Sequence, residues 1–313
     1  MRGWPVTFVG GFENLVYKLR DEHGERILRL THQSDRTREL VEAELDWIED
    51  LANRGICVAR PLVGRSGQLI ESLHAQNGDL YHATAFTFAP GIRVEASDPE
   101  LWNPTFFERW GEVLGRMHAA SVEFKVPQGR PRRYAWNEDP MLNFEAYIPA
   151  GEGDVIEGCR GIVEAISGLS RSAETFGLIH ADLHQGNFFV DQGGMTIFDF
   201  DDCLYHWFVC DLATVLYSVC WWNVEGDGPR QNAFAETFGK ALLRGYRRHW
   251  EISPEWLEHI PLFLSLRDAT IYAALHKRLD FTQLKAPQKR ALDERRARLL
   301  GGGTPISIDF ARL

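Results

Sequence analysis

The chain has 313 residues, 44% apolar and 25% charged, which is long enough for a large core in two lobes and matches an ordinary soluble globular protein. A net charge of −10 argues against a general nucleic-acid binder, and no run of about eighteen apolar residues is present to span a membrane. Met1-Arg2-Gly3-Trp4-Pro5 does not begin a signal peptide, and five cysteines without a C-x-x-C pair fit reduced thiols better than disulfides or zinc, so the chain reads as cytoplasmic.

Residues 6–9, 15–19 and 27–30 predict three short strands, with Gly10-Gly11 and His23-Gly24 in the turns between them. From Ser34 the pattern turns helical, and Gly55 stops it. Val41, Leu45, Ile48, Leu51 and Ala52 form its apolar stripe, and Glu44 falls inside that stripe. A carboxylate on a buried face needs a partner. Arg29, on the third strand, is the predicted one; an amphipathic face that leaves Glu44 in water is the alternative. Residues 58–63, 68–72 and 81–88 read as further strands, and Ala89-Pro90-Gly91 breaks the sheet as a hinge. The first lobe is accordingly 1–89 and the second 90–313.

Residues 104–121 predict an amphipathic helix with Phe107, Trp110, Val113, Leu114 and Met117 on one face. His118, at the edge of that face, is expected to be hydrogen-bonded inside the lobe. Residues 123–136, rich in Pro, Arg and Gly, read as an exposed loop. Helical patterns over 143–148 and 159–173 are broken by Gly151-Glu152-Gly153.

The most informative stretch is 177–202, G-L-I-H-A-D-L-H-Q-G-N-F-F-V-D-Q-G-G-M-T-I-F-D-F-D-D. It reads as a loop, then two strands joined by hairpin-turn residues at Asp191-Gln192-Gly193-Gly194. Hairpin pairing should return Asp199 close to Asn187 and Asp182. Two carboxylates and an amide converging without a Cys suit a hard cation such as Mg²⁺ rather than zinc. Two turns rich in Asp and His are the bland alternative.

Beyond Asp202, Asp211 opens a helix carrying Leu212, Val215, Leu216 and Val219, as an N-cap or first-turn acid. Trp207, Trp221, Trp222, Trp250 and Trp256 read as core, or as an aromatic cage for an organic cation. Residues 276–300 read as a basic helix with a solvated face.

The set His180-x-Asp182-x-x-x-x-Asn187 followed by Asp199-x-Asp201 resembles the aminoglycoside phosphotransferase and choline kinase superfamily, distant relatives of protein kinases. The run D-F-D-D-C-L-Y-H-W-F is similar to homoserine-kinase-like and stress-response-kinase-like bacterial members. The resemblance implies an α+β, two-lobed protein-kinase-like fold, with a small, mainly antiparallel β N-lobe carrying one helix and a larger, mainly helical C-lobe. It implies ATP- and Mg²⁺-dependent transfer of the γ-phosphate to a hydroxyl of a small molecule. Asp182 is then the catalytic base, and Asn187 and Asp199 hold the metal. Gly10 and Gly11 belong to a loop covering the phosphates, and adenine lies against the backbone of 86–88. Arg29 stands where a phosphate-pairing lysine is usual, steadied by Glu44. His184 contacts substrate or hydrogen-bonds its own loop, Asp201 helps with the metal, lines the acceptor side or supports the site, and Asp211 accepts hydrogen bonds from the catalytic-loop backbone.

Two departures narrow the reading. Ala181 replaces the arginine that pairs with a phosphorylated loop, and only eleven residues separate Asp199 from Asp211, too few for a regulated activation segment. Both favour a constitutive small-molecule kinase. The alternatives are a serine/threonine protein kinase of the stress-response type and a nucleotide-binding pseudokinase regulator, which Arg29 in place of lysine invites.

Overall fold

A computed structural model describes residues 5–11, 14–22, 24–192, 194–223 and 228–313. In chain order its principal elements begin with β1 (Val6–Gly10), β2 (Leu15–Asp21), β3 (Gly24–His32), α1 (Arg38–Asn53), β4 (Pro61–Leu62), β5 (Ile70–His74) and β6 (Leu80–Thr87). There follow α2 (Pro104–Glu123), α3 (Gly153–Ser167), β7 (Phe176–Ile179), β8 (Phe188–Asp191), β9 (Gly194–Ile197) and β10 (Leu204–Trp207). The helices α4 (Phe208–Asn223), α5 (Gly228–Tyr246), α6 (Pro254–Leu257), α7 (Ile260–Arg278) and α8 (Ala286–Gly301) complete the chain. Two compact units result. The first gathers Met1–Val94, Glu123–Arg133 and Gly186–Cys203; the second gathers Glu95–Val122, Tyr134–Gln185 and Leu204–Leu313.

The first unit is built on an antiparallel sheet ordered β1-β2-β3-β6-β4, with β5 also on β6. Alternation along β3 buries Arg29 and Thr31 on one face. Helix α1 starts at a Thr37 cap, whose side chain accepts from the Leu40 N–H, and buries Val41, Glu44, Leu45, Ile48 and Leu51. The strand expected over 58–63 reduces to a bridge from Val58 to Ile197 and the two residues of β4. Pro61 supplies no N–H to extend it. The β8–β9 hairpin joins this unit through that bridge and through an antiparallel one between Ile92 and Val190. Gly193, in the predicted hairpin turn, and His23, in the predicted β2–β3 turn, lie outside the described residues.

The second unit is mainly helical. Helices α2 and α5 approach through glycine: a Cβ on Gly111 would sit 1.8 Å from the Leu242 carbonyl oxygen, and one on Gly245 1.8 Å from that of Glu108. Glu108 pairs with Arg244 and Arg248 along the same contact. Phe144, Val155, Cys159, Tyr272 and Leu299 form a second core joining α3, α7 and α8. The helical pattern over 143–148 contracts to a 3₁₀ turn at Phe144–Ala146, and α3 begins at Gly153, where a break was expected, and stops at Ser167. At a helix start a glycine forgoes little hydrogen bonding, so it does not break the element there.

One further expectation is corrected. The basic C-terminal stretch is not one solvated helix: α7 ends at Arg278, and Arg295 and Arg298 of α8 turn inward to the buried Asp268. Trp207 and Trp221 serve packing, the first of the two alternatives the sequence offers. Trp207 is fully buried against Phe176, and the Arg295 guanidinium lies 3.9 Å from the centre of the Trp221 ring. The Trp222 side chain is outside the described residues.

Candidate active site

In the second unit, β7 pairs antiparallel with β10, Ile179 opposite Leu204, and α4 follows β10 directly. Asp211, in the first turn of α4 and fully buried, accepts from the backbone N–H of Ala181 at 2.7 Å and of His180 at 3.1 Å. Its Oδ2 also lies 3.2 Å from His118 Nε2, while His118 Nδ1 meets the Tyr246 hydroxyl at 2.8 Å. The expected places of Asp211 and His118 are therefore observed. This scaffold holds Ala181 at φ +66°, a left-handed conformation unfavourable for a residue with a side chain. Farther along the loop, Gln185 and Asn223 exchange two amide hydrogen bonds, at 3.2 and 2.8 Å.

Asp182 follows Ala181. Its Oδ1 accepts from Arg267 Nη2 of α7, and its Oδ2 lies 3.4 Å from His184 Nε2. Burial pushes the Asp182 carboxyl up, but the Arg267 guanidinium, with His184 and His180 beside it, outweighs that and holds it well below the usual carboxylate range. Asp182 is thus an ionised carboxylate, about one-fifth exposed.

In the first unit, Arg29 places Nη1 at 2.8 Å from Glu44 Oε1 and Nη2 at 2.6 Å from Oε2. The predicted pair is present and bidentate. Burial alone favours a neutral guanidine; Glu44, then Asp201 and Asp199, keep Arg29 charged. Arg29 Nε is buried without a hydrogen-bond partner among the described residues. Asp201 Oδ1 lies 3.8 Å from Arg29 Nη1, and Oδ2 accepts from Asn14 Nδ2 at 3.1 Å. Asn14 is held in turn by the Thr31 hydroxyl at 2.6 Å. Asp201 is buried in this cationic surrounding, with Arg36 at 3.7 Å as well.

Asn187 immediately precedes β8, and its carbonyl accepts from the Phe198 N–H at 2.9 Å, so the hairpin returns the chain to Asn187 one residue before Asp199. Asp199 is exposed and held at φ +66°. The donors offered here are a carboxylate and an amide oxygen, which fit a hard divalent cation that keeps water or phosphate oxygens in its remaining positions. Gly10 and Gly11 have φ of +137° and +143°, which few residues other than glycine adopt, and a Cβ on Gly11 would fall 1.7 Å from the Asn14 carbonyl oxygen. Phe12 and Glu13, the middle of the predicted glycine loop, lie outside the described residues.

Sequence reasoning missed Arg267 and Arg133, and it read Asn14 as part of the glycine loop without its bond to Asp201. Arg133 falls in the stretch read as an exposed loop, yet it is 1% exposed and donates to the carbonyls of Cys203, Asp201 and Leu40 at 2.6, 2.7 and 3.1 Å. Nothing in its neighbourhood marks it. Arg267 had a signal: it and Asp268 are the only charges in the apolar run 260–275, and paired charges on such a helix require partners.

A model of the phosphotransferase enzyme family matches residues 6–252. The chain belongs to that family. Amicoumacin kinase of Bacillus subtilis (strain 168) is 35% identical over 309 residues, covering 98% of this chain and 90% of that protein. A homoserine kinase of Granulibacter bethesdensis is 30% identical over 267 residues, covering 78% of this chain and 72% of its own length. A solved amicoumacin kinase in complex with AMP-PNP, Ca²⁺ and Ami superposes with a TM-score of 0.91 at 35% identity, covering 98% of this chain and 91% of that one. The phosphotransferase described here has a kinase-like α+β fold and transfers phosphate to a hydroxyl group of a small molecule. The protein-kinase and pseudokinase alternatives are not favoured. Among the described residues no helix is long and apolar enough to cross a membrane.

Proposed function

We propose that this phosphotransferase moves the γ-phosphoryl group of ATP, as its Mg²⁺ complex, to a hydroxyl of amicoumacin or of a molecule closely related to it. The observation that carries this reading is the 35% identity to amicoumacin kinase, sustained over 98% of the chain. Residues 1–89 are assigned to nucleotide binding and 90–313 to catalysis and the acceptor. The reaction belongs in the cytoplasm, where ATP is available.

Within this reading each side chain has a defined task. Asp182 orients the acceptor hydroxyl and receives its proton as the new O–P bond forms and the bond from Pγ to the β,γ-bridging oxygen breaks, releasing ADP. An ionised carboxylate of low basicity suits a loose transition state, in which the proton leaves late. Asn187 and Asp199 hold Mg²⁺, which supplies charge neutralisation for the phosphates when bound. Gly10 and Gly11 let the backbone approach the phosphates. Arg29, fixed by Glu44, supplies positive charge toward the phosphates. Asp201 acts through Asn14, Arg29 and Arg36, and His184 through Asp182.

The test is phosphoryl transfer from γ-labelled ATP with Mg²⁺ to amicoumacin A and to L-homoserine, the acceptor named for another relative. Labelled amicoumacin with kcat/KM at least about a hundredfold above homoserine supports the proposal. Efficient transfer to homoserine alone would reassign the acceptor, and transfer to neither would reject both.

A further inference from the structure

Arg267 and Asp268 are neighbours on α7, which lies outside the 6–252 span of the family model. Asp268 is fully buried. Its Oδ1 accepts from the Tyr217 hydroxyl at 2.6 Å and from Arg298 Nη2 at 2.9 Å, its Oδ2 from Arg298 Nε at 2.5 Å, and Arg295 Nε lies 3.5 Å from Oδ1. These contacts clamp α7 against α4 and α8. Successive helical residues point about 100° apart, so fixing Asp268 also fixes the direction of Arg267. That direction ends on Asp182 Oδ1.

We infer that Arg267 is a positioning residue for phosphoryl transfer, holding the Asp182 carboxylate ionised and in one orientation from a segment beyond the family-matched region. The inference rests on the reading of Asp182 as the acceptor-side carboxylate. Arg267 anchors Oδ1, and His184 Nε2 lies 3.4 Å from Oδ2 on the other side of the carboxylate. The titratable groups facing Asp182 include Arg267 from α7 and His184 and His180 from its own loop, and the Arg267 guanidinium is the largest single influence that lowers it. Both members of the pair are about three-quarters shielded or more, at 25% and 21% exposure, so solvent weakens the interaction less than at an open surface. Arg267, Ala181, Asp139, His206 and Thr270 also line a cavity of about 70 Å³.

The experiment compares wild type with Arg267→Met and Arg267→Lys, after thermal melting has shown that each variant folds. The first readout is the ¹³Cγ titration of aspartate-labelled protein, with the Asp182 resonance assigned by its loss in Asp182→Asn. Wild-type Asp182 should titrate below the ordinary range. Arg267→Met should move its midpoint up by about one to three pH units, and Arg267→Lys should restore most of the difference. The second readout is transfer to amicoumacin A: Arg267→Met should lower kcat by about tenfold or more, with nucleotide binding unchanged within about twofold. An Asp182 titration that stays put in Arg267→Met overturns the inference, even if activity falls. Full transfer by Asp182→Asn would instead remove Asp182 from the mechanism, and the role of Arg267 with it.

Discussion

Both terminal nitrogens of Arg29 meet both carboxylate oxygens of Glu44, at 2.8 and 2.6 Å, with neither side chain more than 5% exposed. Removing one member leaves a buried charge without its partner. Glu44→Ala should therefore lower stability by about 3–5 kcal/mol, whereas Arg29→Met with Glu44→Leu should recover much of that loss. Chemical denaturation of the two variants measures the difference. Equal destabilisation by both would show that packing, not charge, dominates the site.

Asp199 and Asp182 are assigned different tasks, and their variants should separate accordingly. Asp199→Ala should weaken Mg²⁺-dependent ATP binding by about 10–100-fold or more and abolish transfer along with it. Asp182→Asn should leave ATP binding nearly intact and cost about 10²–10⁴ in kcat. Calorimetric titration with Mg²⁺ and a non-hydrolysable nucleotide, beside a transfer assay, reads both.

Ala181 carries its left-handed backbone because Asp211 binds two consecutive N–H groups there. The conformation costs an L-residue about 1–2 kcal/mol, which glycine avoids, although glycine gives back about 0.4–1 kcal/mol through the unfolded chain. Ala181→Gly should accordingly be neutral to about 1 kcal/mol stabilising, and Ala181→Val destabilising by more than about 1 kcal/mol. Melting temperatures decide the order.

His206 is 4% exposed, and burial pushes its imidazole down to about 3; Asp211 opposes the shift and Arg171 adds to it. The unfolded chain takes up this proton near pH 6.5, while the folded one resists until about pH 3. Below pH 6.5 the unfolded state thus binds more protons, and stability falls by roughly 1.4 kcal/mol per pH unit from this group. His206→Gln should flatten the pH dependence between 6.5 and 3 without altering its slope above 7. Denaturation midpoints across that window test it, and parallel curves would exclude His206 as the source.

Of the five cysteines, Cys57 alone is exposed. Burial pushes the Cys159, Cys203 and Cys220 thiols up to about 12, and Cys210 is raised as well. Native protein should react with one equivalent of a thiol reagent, removed by Cys57→Ser, and denatured protein with five. Mass spectrometry of the labelled chain counts the sites.

Much of the architecture was legible before any coordinates. The antiparallel sheet, α1 and its buried Glu44, and the β8–β9 hairpin announce themselves through periodicity and turn residues, because each depends on neighbours a few positions away. Glu44 illustrates how far that goes: its place in an apolar stripe demanded a cation, and Arg29 was the one at hand. Arg133 shows the limit. A Pro-, Arg- and Gly-rich stretch signals a loop correctly, but nothing local says that one arginine of that loop enters the interior to satisfy three carbonyls. The boundaries near Gly153 and Pro61 also escaped, since a glycine at a helix start and a proline at a short strand obey end rules rather than interior ones.

The order His180, Asp182, Asn187, Asp199 carries the resemblance to phosphotransferases of kinase-like fold, because the residue types and the loop-hairpin unit that holds them are contiguous in the chain. Tertiary structure alone decides what acts on them. Arg267 reaches Asp182 across 85 positions, and Arg133 reaches Asp201 across 68. Such pairings have no periodicity to read; they exist only once the fold brings distant segments together and partly shields their charges from water.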